Sequence, residues 1–287
     1  MTTSQTTSSS FNVNKALERA MGGGLSGAAA MVVQVCTLMP LRTTMNYQYR
    51  YGTTTTQALQ TLYKDGKILR FYRGIGPALI QGPLSRFGDT AANAFAMSLL
   101  ESSDLTKDWP VAVKTIGASA AAASFRMFLT PVDTLKTTLQ TQGNDGVRIL
   151  RARIAANGIP TLWYGAVASA AATFVGHYPW FATYNYLSEV LPQQSTTPRK
   201  LARQAVIGFS ASVVSDTISN SLRVIKTYRQ VNETRVSYVG AARAVIEKDG
   251  VGGLFGRGLK TRILTNGLQG IMFSVLWKLF QDLYDRK

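Results

Sequence analysis

A single cysteine, Cys36, rules out an internal disulfide and any cysteine-based metal cluster. Histidine also occurs once, at His177, so no His/Cys spacing for a metal is present. Acid is scarce: 15 Asp and Glu stand against 31 Lys and Arg, a formal net charge of +16 that suits nucleic acid or an anionic lipid surface. Charge of either sign makes up 16% of the chain against 46% hydrophobic residues, which is sparse for a soluble protein. No phosphate-binding loop, dinucleotide fingerprint or nucleophile elbow occurs, so the chain reads as no enzyme. Residues 1–10 are polar, Ser/Thr-rich and uncharged, without the basic and apolar regions of a secretory signal, and residues 1–13 read as a disordered polar tail.

The gaps between charges carry more information than their total. Residues 20–41 contain no charged side chain, and residues 154–188 contain none except the titratable His177. A membrane span needs about 20 mostly apolar residues, and both stretches are long enough. Segments 78–100 and 111–131 are apolar with one or two internal charges, as expected of helices that face a polar cavity on one side. Six such segments predict an all-α membrane protein with six transmembrane helices. The basic residues flank these segments, which fits contact with the lipid bilayer and argues against nucleic acid.

A repeat organises the chain. Asp65-Gly66 precedes Phe71-Tyr72-Arg73-Gly74, Asn157-Gly158 precedes Trp163-Tyr164-Gly165, and Asp249-Gly250 precedes Phe255-Gly256-Arg257-Gly258. The leading glycines lie 92 residues apart both times, an interval that marks a threefold repeat. Each marker follows a short amphipathic segment, such as residues 238–247, and precedes a long apolar one. The unit is span, surface helix, span, with boundaries at 14–105, 106–197 and 198–287. Small residues four apart in the odd spans, Gly23 and Gly27, Ala118 and Ala122, Gly208 and Ser212, predict close helix packing.

These residues resemble the mitochondrial carrier family, whose signature is Pro-x-Asp/Glu-x-x-Lys/Arg at the end of each odd helix, followed by the glycine-aromatic marker. The second copy is intact from Pro131 through Asp133 to Lys136, with Gln140 at the position of the family's glutamine brace. The first copy has Arg42 for the acid and Met45 for the base. The third has Ser221 for the proline and Arg223 for the acid, but keeps Lys226 and, as brace, Gln230. The resemblance implies a multi-pass protein of the mitochondrial inner membrane, with three surface helices on the matrix side and three pseudosymmetric repeats around a cavity. It also implies a closing ring of ion pairs in which Asp133 meets Lys226, Arg42 faces Lys136 and Arg223 faces Met45. Like charges about 4 Å apart repel by about 4 kcal/mol at an effective dielectric of 20, so such a ring is not expected to close by itself. The acid positions of the opposite gate are Ala94, Asn185 and Lys278, none of them acidic.

By the same resemblance, substrate contact points fall at Gln81, the pair Ala172 and Thr173, and Thr265, a neutral set. Polar side chains inside the spans are Arg86, Asp89, Arg126, His177 and Asp216. Symmetry places Arg126 and Asp216 at equal depth, where they face the cavity and pair. This group reads either as internal ion pairs that hold the helices in register or as a polar ligand site. Cardiolipin is the lipid that the resemblance implies, at helix starts marked by Arg73 and Gly74, Trp163 and Gly165, and Arg257 and Gly258. No cofactor or metal is expected. With both gates depleted, the expected function is a structural or accessory subunit of an inner-membrane respiratory assembly. The alternative is a transporter for a neutral, zwitterionic or unusual small molecule.

Overall fold

The computed structural model describes residues 13–102, 105–106 and 108–285. Most of the tail at 1–13 lies outside them. Ten α-helices follow in order: α1 (Val13–Tyr51), α2 (Thr55–Phe71), α3 (Ile75–Ser102), α4 (Val111–Phe128), α5 (Thr130–Gln142), α6 (Gly146–Asn157), α7 (Ala166–Val190), α8 (Thr197–Val231), α9 (Tyr238–Gly256) and α10 (Leu259–Asp285). No strand occurs among the described residues. The pattern long, short, long recurs three times, with α4 and α5 together forming one broken long helix.

The long helices close into a ring. α1 packs on α3, α3 on α4, α4 on α7, α7 on α8, α8 on α10, and α10 returns to α1. At one end α1, α5 and α8 also touch one another pairwise, so the ring narrows to a threefold closure there. The short helices α2, α6 and α9 flank this closed end. Polar Gln34, Asn46, Thr137 and Thr227 are buried beside apolar residues such as Val35, Met39 and Val224, while Ile116, Phe174, Val206 and Ile271 lie exposed on the long helices. Among the described residues, one helical stretch, Ile159–Val190, is long and apolar enough by composition to cross a membrane. The other long helices carry polar groups on their inner faces, which lowers their mean hydropathy.

Local chemistry explains the breaks. Pro131 has no N–H to give the carbonyl four residues back, and the helix parts between Phe128 and Thr130, whereas α1 runs unbroken through Pro40. Thr54 and Gln57 form a reciprocal cap at the start of α2, and Ser237 accepts the amide of Gly240 at 2.9 Å at the start of α9. The short helices end or kink at Gly158 with φ 76° and Gly250 with φ 70°, conformations that glycine adopts without a steric penalty. In the first repeat Gly66 is extended, and the positive φ of 53° falls on Lys67. Close packing in the ring uses Gly176, whose carbonyl accepts Ser215 Oγ at 2.7 Å, and Gly88, where a Cβ would collide with Phe125. Gly208, a small residue expected to pack closely, faces open space instead.

Candidate functional site

The closed end is built from three equivalent contacts between neighbouring repeats. Gly74, Gly165 and Gly258 have φ of 84°, 94° and 66°, and a Cβ on each would lie 2.9, 3.1 and 3.2 Å from the carbonyl oxygens of Lys136, Lys226 and Met45. Each marker glycine therefore lets one repeat pack against the odd helix of the next at the signature's base position. A buried arginine reinforces every contact. Arg70 donates to the carbonyls of Gln140 and Thr141 at 2.9 Å, Arg153 to that of Gln230 at 2.5 Å, and Arg257 to those of Tyr49 and Arg50 at 3.4 Å. A cation on the last carbonyls of a helix satisfies orphan acceptors and opposes the negative end of the dipole.

Side-chain hydrogen bonds fill the space between the odd helices. Asn46 donates to Gln140 at 2.6 Å, Gln230 to Thr134 at 3.1 Å, and the Tyr49 hydroxyl to Asn220 at 3.2 Å. Tyr49 follows Pro40 by nine residues, as Gln140 follows Pro131 and Gln230 follows Ser221. It stands at the brace position of the first repeat, and that register is the signal by which sequence alone could have found it. A further layer, also absent from the sequence reading, lies at the helix ends. The Tyr51 hydroxyl donates to Gln142 at 3.1 Å, Gln142 to the Val231 carbonyl at 3.3 Å, and Arg50 to Asn232 at 2.7 Å.

The ionic ring departs from expectation. Asp133 accepts Lys136 on one oxygen and Lys226 on the other, both at 2.6 Å, and Lys136 also donates to Gln81 at 3.0 Å. Arg42, expected against Lys136, donates to Gln269 at 2.8 Å. Arg223 donates to Ser219 at 3.3 Å. A shared carboxylate and neutral amides thus spread the like charges that the sequence set face to face.

Above this ring lies a cavity of about 200 Å³, polar in its lining. Gln81 and Thr265 line it, but Ala172 and Thr173 do not. Ala172 is buried, and the Thr173 hydroxyl turns back to the Ser169 carbonyl at 3.0 Å. One turn nearer the closed end, Ser169 and Arg262 line the wall, each four residues after its marker glycine. Beside the neutral contact points the cavity wall therefore carries a charge, Arg262. Asp216 accepts Arg262 at 2.7 Å and also Asn266, because α10 and not α4 is the neighbour of α8 in the ring. Arg126, expected to pair with Asp216, lines the same cavity. His177 sits away from the cavity lining, at 2.8 Å from Ser119 between α7 and α4 and edge-on to Phe181. The side chains of Arg86, Asp89, Ala94 and Lys278 lie outside the described residues, and Asn185 is exposed.

Of the lipid positions, Arg73 and Trp163 are exposed. Arg257 is not available to a headgroup, because its guanidinium is buried under Tyr49 and Arg50 and held by Asp249 at 2.7 Å.

A family model described as mitochondrial carrier protein matches residues 107–195 and 197–287, and the chain belongs to the mitochondrial carrier family. Among similar proteins, the mitochondrial S-adenosylmethionine carrier protein of Mus musculus is 25% identical over 59% of this chain and 58% of its own length. The mitochondrial thiamine pyrophosphate carrier 1 of Meyerozyma guilliermondii is 28% identical over 55% and 58%, and its namesake from Scheffersomyces stipitis 27% over 60% of each. The chain spans less than two thirds of the length of these relatives. Members of the family are transporters, not enzymes, and sit in the mitochondrial inner membrane.

Proposed function

We propose that the protein is a transmembrane solute transporter that moves a small metabolite across the mitochondrial inner membrane, with six spans in three repeats and the closed end toward the matrix. The observation that carries this reading is the ring of long helices around a polar cavity, shut at one end by bonds between neighbouring repeats. The substituted signatures argued against transport only if the closed end needed three ion pairs. Asp133 shared by two lysines, together with the layer joining Tyr51, Gln142, Val231, Arg50 and Asn232, closes it with a single carboxylate and otherwise neutral acceptors. Relatives named as S-adenosylmethionine and thiamine pyrophosphate carriers support transport over a purely structural role. Cardiolipin is the proposed bound lipid, with exposed Arg73 and Trp163 beside the starts of α3 and α7.

Liposomes loaded with a mixed pool of metabolites and carrying the purified protein are expected to take up labelled solute above empty liposomes. A second reading, an accessory subunit of a respiratory assembly, draws on Arg42 and Arg223 standing where an acid occupies the intact signature copy. Absence of uptake, together with migration of the native protein inside a large complex in mild detergent, would replace the first reading with the second.

A further inference from the structure

We infer that the cavity's ligand is a small solute bearing at least two negative charges, held by Arg223 and the lysine pair at Asp133. This deepens the transporter reading and rests on it. The inference comes from where the carboxylates are already committed. Lys136 and Lys226 share Asp133, which leaves one positive charge in excess at that point. Arg262 is matched by Asp216, whose second oxygen accepts Asn266. Arg223 has five N–H donors, and its bond among the described residues is to the Ser219 hydroxyl at 3.3 Å, a neutral acceptor. Of these four cations and two acids, five line the same 200 Å³ space and the sixth, Asp216, lies behind it against Arg262; their excess is two positive charges. Arg42 and Arg126 also line it and do not enter that count.

An uncompensated cation away from bulk water is costly, and a guanidinium with an ammonium pair lining the same cavity matches a small anion that carries more than one carboxylate or phosphate charge. A cationic solute would meet the same excess as repulsion. The sign of the cavity therefore opposes the cation S-adenosylmethionine, although a carrier for that compound is among the similar proteins. The neutral amides of Gln81, Asn266 and Gln269 line the same space and supply further hydrogen bonds for the polar body of the solute.

Thermal unfolding of the full-length protein in mild detergent, at constant ionic strength, tests this with thiamine pyrophosphate against free thiamine, two probes sharing one ring system and differing in charge. Pyrophosphate and citrate separate a phosphate from a carboxylate ligand, and S-adenosylmethionine supplies the cationic arm. The expected result is a rise in melting temperature with one or more of the anions, none with thiamine or S-adenosylmethionine, and weaker stabilisation as salt is raised. Arg223→Gln should weaken the anion about tenfold. Gln269→Glu adds a carboxylate beside Arg42 with little change of shape and should weaken it likewise, so the proposal stays testable if the first variant does not fold.

Equal stabilisation by the cations, unchanged anion binding in both variants, or a response to cardiolipin alone would overturn the inference. Anion binding without uptake into liposomes would remove the transport reading and leave the ligand class standing. Uptake of a cation in place of an anion would do the reverse.

Discussion

At the residue scale the closed end depends on atoms that are absent as much as on those present. Gly165 has a left-handed φ, and a Cβ there would also lie 2.7 Å from Gln230 Cγ and 3.1 Å from the Lys226 carbonyl. Gly165→Ala is expected to cost more than about 1 kcal/mol from the backbone alone, read as a lower melting temperature in detergent. Asp133 is the opposite case, a buried acid between two ammonium groups. Asp133→Asn leaves Lys136 and Lys226 facing a neutral amide, and removing one member of a buried ionic group typically costs about 3–5 kcal/mol. Thermal unfolding should show a larger loss for this change than for Arg148→Gln, whose exposed pair with Asp145 contributes little.

At the element scale the short helices act as clamps on the helix ends of the next repeat. Arg153 projects from α6 to the Gln230 carbonyl near the end of α8, so Arg153→Met is expected to raise amide exchange at that end while leaving α1 unaffected. The expected cost is about 1–3 kcal/mol, the range for a buried acceptor that loses a charged donor. Lys67 offers a change in the other direction. Its φ of 53° is paired with ψ of −142°, a region that glycine alone occupies readily, and the neighbouring Gly66 does not take that turn. Lys67→Gly should raise the melting temperature, by an amount equivalent to about 1 kcal/mol.

At the scale of the whole molecule, α1, α5 and α8 touch pairwise at the closed end, and on the proposed transporter reading opening must break all three contacts. Gln142 links two of the three contacts, accepting from Tyr51 and donating to Val231. Gln142→Leu removes both bonds, and at about 1 kcal/mol each the ratio of open to closed protein should rise by roughly tenfold or more. A cysteine placed at Thr227, buried in the cavity wall, would report this as faster labelling by a thiol reagent added on the side of the closed end.

How much of this was legible beforehand depended on whether the signal was periodic. The threefold repeat, the helical class and the family were readable, because a 92-residue interval and charge-free stretches are properties of one chain read in order. The marker glycines were readable for the same reason. Which side chain meets which was not. Asp216 was set against Arg126 by symmetry of depth, yet the ring puts α10 beside α8 and delivers Arg262 and Asn266. In the second repeat Ser169 lines the cavity while Ala172 and Thr173 do not, because the rotation of a helix about its axis decides whether a residue faces the cavity or a neighbour. Periodicity along the chain determined that a cavity would exist. Only the packing of helices against one another decided its charge pairing, since Lys226 reaches Asp133 and Arg262 reaches Asp216 from more than forty positions away.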